Sequence, residues 1–221
     1  MKSSESSMGK KIIRTITAAG WVLLILLSAY FFYESVVPYI VDDLAPRKAK
    51  IKPFLIAHFV GVFCTIFLGP IQFWPTFRKR YLHLHRLFGK AYIIGSLIGA
   101  LMVFYLLFNG YPLMGAIPSL FVLACLWIFV LVAAWYCIKK MDIKNHQHFM
   151  IRSYVLGLAF VFIRLLNRLE RLDFNPFSFI PDAVMRDTLY EWMCWIFPLL
   201  ITEIVLVWWP AIRKNQVSRT R

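Results

Sequence analysis

Six apolar runs, each long enough to cross a bilayer, leave this chain little freedom in what it can fold into. They cover residues 16–33, 54–74, 86–108, 115–138, 149–166 and 189–210, and a helical crossing takes about 20 residues. Charged residues fall mostly between the runs. Hydrophobic residues make up 60% of the 221, with a mean hydropathy of +0.66, and too little chain remains for a soluble domain. The predicted fold is all-α, a polytopic integral membrane protein with six transmembrane helices. One membrane domain spans 13–212 and holds a four-helix core bundle over 54–166. A serine-rich, disordered cytoplasmic tail is expected over 1–12 and a basic cytoplasmic tail over 213–221.

Short connections order the helices. Asn109-Gly110-Tyr111-Pro112 and the segment 139–145 are tight enough to make their flanking helices antiparallel neighbours. The later loop, 170–187, carries Pro176 and Pro181, and a short interfacial helix is expected near 174–179. Pro70 either kinks or ends the second span, because proline removes a backbone donor. Trp192, Trp195, Trp208 and Trp209 are placed as an aromatic belt would be.

The net charge of +14 follows the loops. With the N-terminus inside, 17 of the 25 Lys and Arg fall on cytoplasmic segments, among them Arg78, Lys79, Arg80, Lys139 and Lys140. Eight of the 11 acidic residues fall outside, including Asp42, Asp43, Asp173 and Asp182. The positive-inside rule therefore places both termini in the cytoplasm. The basic excess serves topology and lipid headgroups, and no nucleic-acid partner is expected. Cys64, Cys125, Cys137 and Cys194 form no close C-x-x-C pair and behave as small membrane hydrophobes.

The five histidines carry the functional signal. His58, His83, His85, His146 and His148 all lie in or at the edge of apolar spans, where an ionisable side chain calls for a partner or ligand. Helical spacing sorts them. His58, Gly61, Thr65, Gly69 and Gln72 share one face of the second span; His85, Gly89, Tyr92 and Ser96 share one of the third; His146, Met150, Ser153, Gly157 and Arg164 share one of the fifth. The third and fifth spans run in the same direction, so His85 and His146 both come near the cytoplasmic surface.

Two sites are expected. In the inner one, His85 and His146 face each other as axial ligands of a haem b iron, with Gly89 relieving crowding over the porphyrin. Tyr92 and Met150 line this site, and Arg86, Lys90 and Arg152 pair with the propionates. The bland alternative is a set of interfacial histidines that bind headgroups and cap helices. The outer site gathers His58, Gln72, Arg164 and Asn167 as a polar network or a place for a quinone or anionic headgroup. Glu203, within the last span, is expected to pair with Arg152.

The stretches G-P-I-Q-F (69–73), H-R-L-F-G-K-A-Y (85–92) and H-Q-H-F-M-I-R-S-Y (146–154) resemble a bacterial family of predicted membrane proteins of unknown function. The family's pattern is matched by His58, Gln72, His85, Arg86, Gly89, Tyr92, His146, Met150, Arg152, Tyr154 and Arg164. Phe149 stands where the family usually has tryptophan. The resemblance implies a multi-pass protein of the bacterial inner membrane and no established activity. A weaker, fold-level likeness to membrane b-type cytochromes and ferric reductases implies haem and electron transfer, although the second complete histidine pair of two-haem members is missing. The functions in contention are haem-based electron transfer involving a quinone or a redox partner protein, transport or small-molecule or lipid binding at a His/Arg-lined interior, and a structural subunit without chemistry.

The charge asymmetry yields a topology that reporter fusions can check. Fusions after Gly110 and within 170–187 should report outside, and fusions after Lys140 and Arg213 inside. A cytoplasmic signal from 170–187 would sink the six-span arrangement.

Overall fold

The computed structural model describes residues 2–41, 49–110, 114–172, 174 and 176–213, with side chains in the first helix over 15–38. Among these residues the only regular secondary structure is helix, and six helical stretches are long and apolar enough to span a membrane. The segments 42–48, 111–113 and 214–221, which include parts of the expected first and third connections and nearly all of the C-terminal tail, lie outside the described residues.

The chain forms two units, 1–43 and 44–221. The first is a single helix, α1 (Lys2–Val41). Its backbone is helical from Lys2, where disorder is expected over 1–12. Once the apolar run has nucleated a helix, each added residue closes one more hydrogen bond, so polar residues without proline can extend it.

The second unit holds α2 (Lys52–Phe73), α3 (Pro75–Arg80), α4 (Leu82–Asn109), α5 (Ala116–Lys139), α6 (Ile143–Gly157), α7 (Ala159–Arg171) and α8 (Ala183–Glu203). A π-helical turn (Ile204–Trp208) continues α8. Helices α2, α4, α5 and α6 form a closed ring in which α2 packs on α4, α4 on α5, α5 on α6 and α6 on α2. Helix α8 lies against α5, α6 and α7. The expected four-helix core is thus present.

Pro70 lies inside α2, which ends shortly after it at Phe73, close to the expected end of the second span. Two local features differ from expectation. The fifth span, 143–171, is divided at Leu158 into α6 and α7, with the amides of Val161 and Phe162 both bonding the Leu158 carbonyl. Residues 176–179 form a turn rather than a helix, as Pro176 and Pro181 favour.

The α5–α6 connection is closed by Met141, which adopts φ 60° past the end of α5. Asp142 then caps α6, accepting from the Asn145 amide N–H at 3.2 Å and its Nδ2 at 2.6 Å. These bonds hold the Asp142 carboxyl below the usual carboxylate range.

The tightest packing is between α2 and α4. A Cβ added to Gly61 would lie 2.6 Å from the Gly99 Cα and N, and one added to Gly95 would lie 2.7 Å from the Cys64 Cβ. Lipid tails are as apolar as leucine, so helices in a membrane associate by close packing of small residues and by polar contacts. Gly61→Leu should force the two backbones apart and destabilise the protein by about 2 kcal/mol. An unchanged thermal midpoint in detergent would contradict this close approach.

Candidate functional site

One end of the ring carries the basic loops, Arg78 to Arg80 and Lys139 to Lys140. The three sequence motifs meet there. Gln72, at the end of α2, reaches the first turn of α4. Gly69 lies against the Tyr154 ring of α6, and that ring meets Phe73 edge-on at 5.4 Å. Gln72 is therefore part of the basic-end site and not of the outer site where it was expected. It follows His58 by 14 residues on the same helix, about 21 Å further along the axis.

The Gln72 amide has three neighbours. One is the His85 carbonyl, which only accepts; another is the Gly89 N–H, which only donates. These two orient the amide: its NH2 donates to the His85 carbonyl at 3.2 Å and its oxygen accepts from Gly89 at 3.2 Å. The same NH2 lies 3.0 Å from His85 Nδ1 and donates to it. His85 Nδ1 is thus an acceptor, and the ring proton sits on Nε2. Gly89 leaves room for this amide: a Cβ there would come within 3.2 Å of the Gln72 amide group. The space assigned to a porphyrin edge in the sequence is filled by Gln72.

His146 has the opposite form. Its Nδ1 lies 2.9 Å from the carbonyl of Ala134 on α5. A carbonyl only accepts, so Nδ1 carries a proton, and in the neutral ring Nε2 is then the nitrogen with the lone pair. The register between α4 and α6 brings the rings to one level. Tyr92 and Ser153, 61 positions apart, are bonded at 3.0 Å. His85 and His146 are separated by the same 61 positions, two turns closer to the basic end on helices that run in the same direction. His85 lies in the electrostatic field of His146, and also of Arg78 and Arg86.

The other expected site residues divide. Tyr92 is fully buried and Met150 nearly so. Ser153 donates to the Met150 carbonyl at 2.8 Å, so the Tyr92 hydroxyl donates to Ser153. Arg86, Lys90 and His83 are exposed. Arg152 faces away to α8, where its Nε and Nη2 donate to the two Glu203 oxygens at 2.5 and 2.9 Å. The expected Arg152–Glu203 pair is present, and it occupies the guanidinium that a propionate would need. His148 is near the same carboxylate. A π-helical turn begins one residue after Glu203.

At the opposite end, His58 Nδ1 lies 2.9 Å from the Gly99 carbonyl. That bond ties it to α4, and Arg164 is a neighbour through its charge. Arg164 donates to the Phe160 carbonyl at 3.2 Å and covers the Phe160 ring at 3.7 Å. Asn167, expected in this cluster, is exposed. Glu191 is close enough to Arg164 to feel its charge and was not anticipated. The signal for it was a carboxylate just inside the last span, at the depth of Arg164. Arg78 was likewise missed beside His85. Helix α3 brings it there, with Phe77 stacked on Phe88 at 6.1 Å.

A fold and motifs of this kind define a multi-pass α-helical membrane protein with a polar interior. The chain belongs to the family described as "Predicted membrane protein (DUF2306)", which matches residues 55–206. No curated protein and no solved structure matches it.

The Arg152–Glu203 pair generates a stability test. Glu203→Gln leaves the Arg152 charge without its counter-ion inside a span and should lower the thermal midpoint. Replacing both, as Arg152→Met with Glu203→Leu, should restore most of the loss. A double variant no better than the single one would show that the pair is not the source of the effect.

Proposed function

We propose that this chain is a protein of the bacterial inner membrane, with both termini cytoplasmic, that binds a quinone-type headgroup at the His85–His146 pair and takes part in proton-coupled electron transfer. The observation that carries this reading is the opposite protonation of the two imidazoles. His85 offers Nε2–H and His146 offers an Nε2 lone pair, at one level of a membrane-embedded ring. An oxidised headgroup has a carbonyl that accepts from His85. A reduced one has two hydroxyls: one gives its proton to His146, the other gives its proton to water at the basic end, and the two electrons leave one at a time to a redox partner protein. Arg78 and Arg86 stabilise the anion formed between the two states.

The second reading, a bis-histidine haem b, is favoured by His146 alone. Its Nδ1–H is held by a carbonyl, as metal-ligating imidazoles commonly are. His85 does not fit as it stands, since Gln72 places its proton on the nitrogen that iron would need. Gly89 and Arg152 are also committed elsewhere. The third reading, transport of a small molecule or lipid, shares the polar interior but draws no specific support from the opposed histidines.

Two measurements decide among these. Titration of a short-chain ubiquinone into the purified protein should quench tryptophan fluorescence saturably, and His146→Ala or Gln72→Leu should weaken binding about tenfold, the equivalent of one hydrogen bond to a buried group. Absence of saturable quenching would overturn the quinone reading. A Soret band in the reduced-minus-oxidised spectrum, lost in His85→Ala, would replace it with the haem one.

A further inference from the structure

We propose that the polar column inside the α2–α4–α5–α6 ring carries protons between the two faces of the membrane, from the His85–His146 pair at the basic end to His58 at the other. Its basic terminus rests on the histidine pair as read above; the remainder does not. Two turns along from the pair, Tyr92 bonds Ser153 at 3.0 Å. One turn further, Ser96 bonds Thr65 at 2.6 Å. Nearly one turn beyond that, His58 bonds the Gly99 carbonyl. From His85 to Gly99 the column covers 14 residues of α4, about 21 Å of a hydrocarbon layer about 30 Å thick. All four hydroxyl side chains are fully buried.

The donor directions are fixed by the carbonyls. Ser153 gives its proton to Met150 and Thr65 gives its proton to Gly61 at 3.0 Å, so Tyr92 and Ser96 are the donors in their pairs. For a proton to pass, the Ser153 and Thr65 hydroxyls swing off the Met150 and Gly61 carbonyls; each oxygen then forms a new O–H bond as it releases its own proton to the next, and no net bond is made or lost. At the far end the proton forms N–H at His58 Nε2 and leaves from there to water, which restores the neutral ring. That nitrogen keeps a lone pair because Nδ1–H is held by Gly99. His85 faces Arg78, Arg86 and His146, and His58 faces Arg164.

A separate observation lies beside the Ser96–Thr65 pair. Trp127, on α5, is 5% exposed, and its indole N–H has no hydrogen-bond partner among the described residues. Its ring edge is at the Thr65 level, for a Cβ on Gly157 would meet both Thr65 and the Trp127 Cζ2, the latter at 3.2 Å. An orphaned buried donor is costly, and buried water is the usual partner of such groups. A water held by Trp127 links the Tyr92–Ser153 pair to the Ser96–Thr65 pair. Hydroxyl pairs that only glue helices together are complete once closed. They call neither for an orphaned N–H beside them nor for a histidine at each end.

The test uses the full chain in liposomes with an internal pH dye, a potassium gradient and valinomycin, and no quinone. Wild-type protein should acidify the lumen faster than protein-free vesicles do. Tyr92→Phe and Thr65→Val should each slow the flux about tenfold or more, as loss of a proton-transferring group does; His83→Ala should leave it unchanged. Ser96→Ala takes the place of Thr65→Val if that variant does not fold. A wild-type rate equal to that of empty vesicles overturns the proposal, as do folded column variants that conduct like wild type. Quinone titration of the same samples separates the two ideas. Binding without flux removes the column alone, and flux without binding removes the quinone site alone.

Discussion

The approach of α2 to α4 is the constraint on which the rest of the structure depends. It is close because glycine backbones face each other, with Gly61 set against Gly95 and Gly99. In water such contact would compete with burial of larger side chains. In lipid, where burial gives no advantage between helices, intimate packing is a principal source of attraction. Three polar contacts follow from the same spacing: Gln72 with His85, Thr65 with Ser96, and His58 with the Gly99 carbonyl. Each joins α2 to α4, and they are spread along most of the pair. A wider separation would cost all three together and leave polar groups exposed inside the membrane.

One amide then sets the chemistry of the basic end. A lone histidine in a span has two tautomers of similar energy, and a side chain that donates or accepts at one nitrogen chooses between them. Gln72 chooses for His85, because its orientation is dictated by a backbone carbonyl and a backbone N–H that cannot exchange roles. The Ala134 carbonyl chooses for His146. Two like residues are thereby made unlike: Gln72 donates to His85 Nδ1, whereas His146 Nδ1 donates to the Ala134 carbonyl.

Much of this was legible in the sequence, and the part that was not has a physical cause. Apolar run length predicts the six spans, and short connections predict the antiparallel order within the ring. Period-3.6 spacing places Tyr92 with His85 and Ser153 with His146, because it depends only on helix geometry. The Arg152–Glu203 pair follows from the cost of a lone carboxylate in a span. What periodicity cannot supply is rotation about the helix axis relative to neighbours. Arg152 thus turned toward α8 and away from the histidines, and Trp195, expected in an aromatic belt, is buried and donates to Ser119 at 3.0 Å. Gln72 was misplaced for a simpler reason: a face extends the whole length of a helix, and sharing it with His58 says nothing about depth. Gly89 was read as room for a porphyrin edge, and in the structure it is the Gln72 amide that lies against it.

The histidine pair also illustrates how loop length transmits to chemistry. Tight connections on either side of α5 make α4 and α6 antiparallel to it and so parallel to each other. Residues at the starts of α4 and α6 must then lie at the same membrane face, whatever their sequence separation. A ring of four helices puts these two on a diagonal, where side chains meet through the interior instead of along a seam. Tyr92 and Ser153 already span that diagonal, and the constant offset of 61 positions carries the register down to His85 and His146. A longer connection at either end of α5 would remove that coupling. The tight α5–α6 turn, with Met141 in a left-handed conformation and Asp142 capping the next helix, is therefore as much a determinant of the site as the histidines.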